Sequence, residues 1–448
     1  EQQKGDDMTH IHQYDFIYAK TESNEPEINF QYKHAFALLE FELPAGIRAI
    51  TLNDPDPDAA YGGFRCFSLE DEAWSLRNAE FPYVNLSLEE PTGKNGEKAW
   101  MVIFPGHEGK PFELIVQTED YTIYRIRENA PEEGFNAGQK YSIKVDLEKA
   151  EQVLTPPTRT DDTWQISSAR DLEWFRDNVN CGSTDWNAIL LSDIDLKGNE
   201  QNPWRPISTT YYYTGHFDGN GHSISGVYIS NVRLYAGLWD GIDAPACIEN
   251  LRVSGEIISD RSYIVGSIVA VIEGGIIRKC HSEININVKK TVVAGGLAGE
   301  NSGQIQDCYY SGDIQITESS AYIGFIIGQN YNLVEYCYAT GTLNYDSSGV
   351  GGICGGNLST GILRNCVSLR QNWNETGYLQ TTTKGRIIAF NQGKSYNNIA
   401  YEGIDIGNHH SDNIDIQGIS KNWEECTSPA MYLELGWSSE TWGLEEGN

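Results

Sequence analysis

The chain lacks long hydrophobic runs and is poor in positive charge. No stretch of eighteen apolar residues occurs in its 448 residues, so the sequence predicts no membrane-spanning helix. Only 32 Lys and Arg residues oppose 63 Asp and Glu residues, which gives a formal net charge of -31. Because no basic stripe is present, nucleic acid is not an expected partner. The acidic residues are spread over both halves of the chain, and we interpret them as a well-hydrated surface.

Recognisable catalytic motifs are also missing. The sequence contains no Gly-x-Ser-x-Gly string, phosphate-binding loop or dinucleotide fingerprint. Asp307 and Glu335 fall in successive repeats, but they are offset by one position and are not expected to form a catalytic pair. His216 and His222 flank the segment Asp218–Gly221, which is typical of a turn rather than a metal site. The sequence therefore predicts no enzyme, no cofactor and no metal site.

A repeat of about 29 residues runs from Gly237 to Gly403. Short stretches such as Ile284–Val288 alternate apolar and polar residues, which indicates β-strands, and the apolar spacing of helices is absent. Repetition at this length predicts a parallel β-helix, expected to be right-handed, in which each repeat forms one coil and glycines occupy the corners. A β-propeller is the second choice because its blades usually need 40 residues or more.

Equivalent positions in successive coils should stack about 4.8 Å apart. Five such positions are spaced by 28 or 29 residues and are expected to form one internal structural ladder: Leu251, Cys280, Cys308, Cys337 and Cys366. The total of nine cysteines is odd, so at least one has no partner within the chain. We interpret the four ladder cysteines as small buried thiols, since this spacing fits no zinc-finger pattern.

The sequence divides into two domains with different residue patterns. Residues 1–151 lack the repeat and show many short alternating runs, which predicts an antiparallel β-sandwich. Residues 152–162, with Pro156 and Pro157, are predicted to be a stiff linker. The β-helix is assigned to 163–448, with an N-terminal cap over 163–235, coils over 236–406 and a C-terminal cap over 407–448. A helix around Leu172 should close one end, and Trp423, Tyr432, Trp437 and Trp442 the other.

Several strings resemble known families. The segments Ala294–Gly299 and Gly303–Ile314 resemble the GLUG repeat of large bacterial surface proteins. In the first domain, Tyr14–Ala19, Ile28–Phe41 and Phe135–Leu147 resemble the N-terminal domain of the fimbrillin family, whose members build or decorate the surface fimbriae of Gram-negative anaerobes. Fimbrillin subunits typically carry a second sandwich where this chain has a β-helix. The resemblance therefore implies an accessory or tip role.

The resemblance implies an exported protein at the outer membrane surface or on a fimbrium. The polar start of the chain shows no signal peptide, so we expect a mature fragment whose precursor lost its leader, with cleavage after a lipid-bearing cysteine as one route. The expected function is that of a non-enzymatic adhesin-like protein that binds a host or microbial glycan or protein. Its expected partners are that ligand or other fimbrial subunits. The alternatives are a carbohydrate-active β-helix enzyme and a structural spacer or accessory subunit of fimbriae.

Three consecutive tyrosines are the predicted binding residues. If the segment is extended, at least one ring of Tyr211, Tyr212 and Tyr213 should face solvent. Tyrosine rings contact sugars or proteins with little loss of side-chain entropy. The sequence therefore predicts that these three side chains belong to the ligand-binding surface.

Overall fold

The structure is a computed structural model that describes residues 2–4, 11, 16–19, 32–53, 62–68, 73–81, 83–209, 211–230, 234–347, 349–375, 383–406 and 413–444. Parts of the fimbrillin-like strings (residues 14–15 and 28–31) and of the predicted C-terminal cap (407–412 and 445–448) lie outside these ranges. Contacts divide the chain into one unit of Glu1–Pro156 with Glu173–Ser183 and a second of Pro157–Leu172 with Thr184–Asn448. Within the described ranges, none of the helices has the length and apolar character needed to span a membrane.

The first unit contains two facing sheets, which confirms the predicted sandwich. Neighbouring strands are antiparallel, except that Gln2–Lys4 and Lys140–Lys144 each lie parallel to a neighbour. The six-stranded sheet consists, in spatial order, of Gln2–Lys4, Tyr83–Ser87, Ile47–Asn53, Pro111–Thr118, Ile123–Asn129 and Gln152–Leu154. The three-stranded sheet consists of Lys140–Lys144, Ala37–Leu43 and Glu97–Ile103, and two strand pairs are Gly62–Ser68 with Ala73–Phe81 and Ile17–Tyr18 with Lys33–His34. A 3₁₀ helix spans Leu147–Lys149.

Alternating side chains build the core of this sandwich. Leu39 and Phe41 of one sheet and Leu114 and Val116 of the other belong to one cluster of buried apolar side chains. Each of these residues is at most 1% exposed, and burial of such a side chain stabilises the fold by roughly 1.5–3 kcal/mol. Every second residue of these strands therefore faces the core, which explains the alternation of apolar residues in the sequence.

Residues 152–162, the predicted linker, include the boundary between the two units after Pro156 and also contain two strands. Gln152–Leu154 pairs antiparallel with residues 123–125 of the first unit, and Leu154 is fully buried. Arg159–Thr160 pairs with Thr163–Ile166 in the second unit. The two prolines lie between these strands, where they remove no ladder hydrogen bond.

The predicted capping helix spans Ala169–Asn180 and crosses the boundary between the units. Ser168 accepts a hydrogen bond from the Asp171 amide, as expected of a helix N-cap. Residues 173–183, which the sequence assigns to the cap of the β-helix, belong to the first unit. There the indole of Trp174 donates to the Tyr121 carbonyl oxygen at 2.7 Å, and the Arg125 guanidinium pairs with the buried Asp177 carboxylate at 2.5 Å.

Glu40 gives the first unit a predictable response to acid. Lys98 and Lys140 donate to its carboxylate at 2.9 and 3.0 Å, and these contacts lower the pKa of Glu40 from 4.5 to about 2. A lowered pKa stabilises the folded state fully above pH 4.5, and this contribution disappears as the pH falls towards about 2. Because both lysines are half exposed, we expect a loss of only about 1–2 kcal/mol.

Urea unfolding at a series of pH values would measure this effect. The Glu40→Gln variant should lose stability at neutral pH and show a flatter dependence between pH 4.5 and about 2. Glu42→Gln, at an exposed position of the same strand, is the matched control and should behave like the unmodified chain. Equal pH profiles for the unmodified chain and Glu40→Gln would contradict the expectation.

The second unit is a parallel β-solenoid of about 7 turns, which confirms the predicted β-helix class. Each full coil contributes strands to four sheets, named walls A to D in chain order. Wall A comprises Arg159–Thr160, Thr163–Ile166, Asn187–Leu190, His216–Asp218, Cys247–Glu249, Ile276–Arg278, Gln304–Gln306, Leu333–Glu335, Ile362–Arg364 and Lys394–Tyr396. Wall B comprises Ile194–Asp195, Ser223–Ser230, Arg252–Arg261, His281–Lys290, Tyr309–Tyr310, Ile314–Ser320, Tyr338–Ser347, Val367–Glu375, Ile399–Tyr401 and Ile419–Lys421.

Walls C and D are shorter and run through six coils each. Wall C comprises Tyr235–Ala236, Ile264–Gly266, Val293–Gly295, Tyr322–Gly324, Gly349–Gly351 and Thr383–Gly385. Wall D comprises Trp239–Ile242, Val269–Ile272, Ala298–Asn301, Ile327–Asn330, Cys354–Asn357 and Ile388–Asn391. Neighbouring strands in all four walls are parallel, apart from the antiparallel first pair of wall A.

The predicted corner glycines lie where walls C and D meet, as at Gly295, whereas the corners between walls A and B use other residues. The residue at this corner has a left-handed conformation in six successive coils, with φ between 52° and 58°. These residues are Asn250, Lys279, Asp307, Tyr336, Asn365 and Asn397. Asn and Asp tolerate this conformation better than other side chains do, which explains four of the six positions.

A ladder of buried asparagines follows wall D. The Asn301 side-chain amide donates to the Asn330 oxygen at 2.8 Å, Asn330 donates to Asn357 at 2.9 Å, and Asn357 donates to Asn391 at 2.9 Å. The ladder starts at Asn301 because the preceding coil has Ile272 at that position. These amides join four successive coils inside the solenoid.

The described C-terminal residues 413–444 contain four short helices: Ile414–Gln417, Trp423–Cys426, Pro429–Glu434 and Ser439–Trp442. Ile419–Lys421 adds a final strand to wall B and so continues the end of the solenoid. Trp437 and Trp442 do not close this end, which corrects the prediction. They lie along the side of the coils, where the Trp442 indole donates to Asp307 at 3.1 Å and its ring packs on Tyr309 and Tyr338. Those tyrosine rings are stacked 4.7 Å apart outside wall B and offer an apolar surface.

Candidate functional site

The five predicted ladder positions lie at the same corner of successive coils. Each of the four cysteines is buried and directly follows a left-handed corner residue. The thiols of Cys308, Cys337 and Cys366 donate to the carbonyl oxygen two residues earlier, at 3.0, 3.2 and 3.3 Å. The Cys280 amide also donates to the Cys308 sulfur at 3.4 Å. This repeated geometry gives the cysteines a structural position in the wall rather than a position at the surface.

The three predicted binding tyrosines differ in how deeply they are buried. Tyr213 has no exposed surface, and its hydroxyl donates to the Trp186 carbonyl oxygen at 2.6 Å. It therefore belongs to the core and is removed from the predicted binding residues, because its ring cannot meet a ligand. Tyr211 and Tyr212 are half-buried. Tyr213 forms an isolated bridge with Ile242 of wall D, and its ring is buried at that point.

Tyr212 belongs to a group of aromatic side chains outside walls C and D. We call this group the tyrosine surface, and its members either pack against one small apolar cluster or lie near a ring that does: Tyr212, Tyr235, Tyr263, Tyr322, Tyr331 and Phe390. Tyr263, Tyr331 and Phe390 are 42%, 37% and 40% exposed. Large aromatic side chains that remain this exposed mark a candidate contact surface.

Strand register shows how far the tyrosine surface extends along the solenoid. Tyr235 and Tyr322 occupy the same position of wall C, three coils apart. Phe390 and Gly241 occupy equivalent positions of wall D, and five coils separate them. Two rings fill the space that a side chain would occupy at a glycine: Tyr212 lies over Gly241, and Tyr322 lies over Gly356. With about 4.8 Å per coil, the surface extends about 24 Å along the solenoid.

Acidic groups lie beside these rings. Burial and the neighbouring Glu273 carboxylate raise the pKa of Glu300, which lies near the Tyr235 and Tyr331 hydroxyls. Asp240 is only 6% exposed, and one of its oxygens, Oδ1, is buried with no hydrogen-bond partner. Burial raises the pKa of Asp240 well above its ordinary value, because the charged form is poorly solvated there. The surface thus combines aromatic rings with hydrogen-bonding carboxyl groups.

A second cluster lies on the outer side of wall A. The ligand-type atoms of His216, Cys247 and Glu249 all lie within 4.8 Å of one another. His216 Nε2 is 2.7 Å from Glu249 Oε1, and Arg278 Nε donates to Glu249 Oε2 at 2.8 Å. Burial raises the pKa of the Cys247 thiol, as does the nearby Glu249 carboxylate. The sequence did not predict this cluster, because 31 residues separate His216 from Cys247 and only the strand register places them side by side.

Comparison with known proteins finds a family match in the first part of the chain. The fimbrillin-like family model matches residues 5–163. This region includes the sandwich sheets of the first unit, and the match supports a surface or fimbrial protein that is exported. No match was found among curated proteins.

Two solved structures resemble the chain at low sequence identity. A candidate cell adhesion protein of Bacteroides uniformis aligns at 13% identity with a TM-score of 0.23, over 34% of this chain and 64% of that protein. An IgA1 protease aligns at 12% identity with a TM-score of 0.40, over 90% of this chain and 32% of the protease. The chain therefore spans less than two thirds of either relative.

Proposed function

We propose that this protein is a non-enzymatic, surface- or fimbria-associated adhesin-like protein that binds a glycan or protein ligand through the tyrosine surface. The fimbrillin-like match supports the surface assignment. The observation that carries the binding assignment is the exposure of three rings of the tyrosine surface, Tyr263, Tyr331 and Phe390. Aromatic rings distributed along a rigid solenoid suit an extended ligand, because each ring contacts it without losing much freedom.

The proposal includes the architecture that the sequence resemblance implies. We assign the 29-residue coils to the GLUG repeat and the sandwich to a fimbrillin-like domain, so the solenoid would display the binding surface on an accessory or tip protein. Other fimbrial subunits or the surface ligand are the proposed partners. A lipid anchor at the outer membrane is the proposed attachment of the native protein, and mass spectrometry of its N-terminus would test this. Immunogold labelling of intact cells would distinguish tip, stalk and membrane locations.

Loss of the exposed rings should abolish ligand binding. We expect the double variant Tyr263→Ala, Tyr331→Ala to bind glycan arrays and host-matrix proteins at least tenfold more weakly than the unmodified chain, because interface tyrosines often contribute more than 1 kcal/mol each. Tyr396→Ala is the matched control, since Tyr396 is 42% exposed but lies on wall A. Equal binding by all three proteins would contradict the proposed surface. A chain that binds no ligand would favour the spacer alternative, for which deletion of residues 160–448 shortens fimbriae without changing attachment.

The acidic groups favour glycan cleavage as the second candidate function. Glu300 has a raised pKa and lies near Glu273 and several tyrosines, and paired carboxylates of this kind perform acid and base catalysis in glycoside hydrolases. Reducing-end assays on host and plant glycans would test for turnover. Activity that disappears in Glu300→Gln would establish the enzyme, and the absence of turnover with intact ligand binding would favour the adhesin.

A further inference from the structure

We propose that His216, Cys247 and Glu249 bind a zinc ion on the outer side of wall A. Nitrogen, thiolate sulfur and carboxylate oxygen are the three ligand types that zinc prefers. Their donor atoms already lie within 4.8 Å of one another, close to the distances of roughly 3–4 Å between neighbouring ligands of a tetrahedral zinc ion. Only a small widening of the contact between His216 and Glu249, now 2.7 Å, is needed to admit the metal.

The strand framework fixes these three side chains. His216 and Cys247 are register partners on adjacent strands of wall A, and Glu249 lies two residues after Cys247 on the same side of its strand. Both strands are hydrogen-bonded to further strands of wall A on either side, and this pairing holds the three side chains in fixed positions. The cluster therefore needs no loop movement to assemble.

A fourth residue orients the carboxylate. Arg278, in the next coil, holds Glu249 Oε2 at 2.8 Å and leaves Oε1 directed at His216. Hydrogen bonds of this kind to the distal oxygen of a ligand are typical of zinc sites. The positive charge of Arg278 would repel the metal ion. Asp218, the register partner of Glu249 in the preceding coil, adds a negative carboxylate that offsets this repulsion. With Cys247 bound as a thiolate, its proton released to solvent, the charges of the site balance.

The same wall contains a matched site without zinc ligands. Three coils further on, Glu335 occupies the position of Glu249 and pairs with Arg364 at 2.7 Å. Leu333 stands there in place of Cys247, and Gln304 stands in place of His216. An ion pair between coils therefore does not require histidine and cysteine, which are the residues that make the first site suitable for zinc.

Cobalt titration of the full-length reduced chain would test the proposal. Co²⁺ replaces Zn²⁺ at such sites, and a bound thiolate gives a charge-transfer band in the near ultraviolet. We expect one equivalent of Co²⁺ to bind with this band and Zn²⁺ to displace it. Cys247→Ser and His216→Ala should each weaken binding at least tenfold. Because both residues are partly exposed, circular dichroism should show intact folding.

Two control variants should keep the metal. Glu335→Gln changes the matched ion pair between coils. Cys66→Ser removes a cysteine that is not part of the proposed site and whose side chain the structure does not describe. Zinc should also raise the melting temperature of the unmodified chain and both controls, but not of Cys247→Ser, because a ligand that binds the folded state stabilises it. No stoichiometric cobalt band, or a band that survives in Cys247→Ser, would overturn the proposal.

Discussion

Replacing Asn330 with alanine is expected to lower the free energy of unfolding of the solenoid by about 3–5 kcal/mol. The Asn330 amide donates to Asn357 and to the Asn332 carbonyl oxygen, and its own oxygen accepts from Asn301. Asn330 and both ladder neighbours are fully buried, so the substitution leaves several polar groups without partners in the interior. Each such group costs about 1–3 kcal/mol when water cannot reach it.

Urea unfolding followed by circular dichroism would measure this loss. Asn344→Ala is the matched control, because Asn344 lies in the next strand of wall B and also pairs with an asparagine one coil away, but at the surface. Water can replace that contact, so the control should cost less than about 1 kcal/mol. Similar losses in the two variants would show that the buried ladder has no special role.

Gly295→Ala should destabilise the solenoid even more, enough to lower its melting temperature by more than about 8 °C or to prevent folding. A Cβ at Gly295 would lie 1.7 Å from the Ala298 carbonyl oxygen and 2.7 Å from the Gly328 amide nitrogen. Both are backbone atoms that no rotamer change can move. Walls C and D therefore approach each other too closely for any side chain at this corner.

The same crowding recurs in the coils on either side. A Cβ would come within 2.2 Å of the carbonyl oxygen three residues later at each equivalent glycine of wall C: Gly266, Gly324, Gly351 and Gly385.

Thermal unfolding of Gly295→Ala beside Gly349→Ala would test this explanation. Gly349 lies in the same wall, but its nearest backbone neighbour, the Ala321 carbonyl oxygen, is 3.0 Å away. A shift of a few tenths of an ångström can relieve that contact, so we expect a much smaller fall in melting temperature. A Gly295→Ala protein with unchanged stability would contradict the close approach of the two walls.

The sequence predicted the class of fold well, because period and alternation are local signals. The recurring Gly near Ala294 and the spacing of the cysteines were enough to indicate a β-helix. The number of walls was not predictable from these signals, since strands of three residues, such as Gln304–Gln306, are too short to show a period. The asparagine ladder was missed although its signal is present: Asn301, Asn330 and Asn357 each follow the repeated glycine landmark at a fixed distance.

The candidate sites were less predictable, because they depend on register. Tyr211 and Tyr212 remain predicted binding residues, whereas Tyr213 was misplaced because one residue decides which side of the wall a ring faces. Tyr235, Tyr322 and Phe390 are far apart in the sequence and meet only when the coils stack. The same holds for His216 and Glu249, which no spacing rule for zinc ligands would connect.

The central claim is that successive coils stack in register, and the distance between two spin labels tests it most directly. Labels at His216→Cys and Lys394→Cys, in a chain with Cys247→Ser and Cys66→Ser, would occupy the same position of wall A in strands separated by six pairing steps. At about 4.8 Å per step, pulsed electron paramagnetic resonance should give one narrow peak near 29 Å. A peak far from this distance, or a broad distribution, would contradict the stacked solenoid.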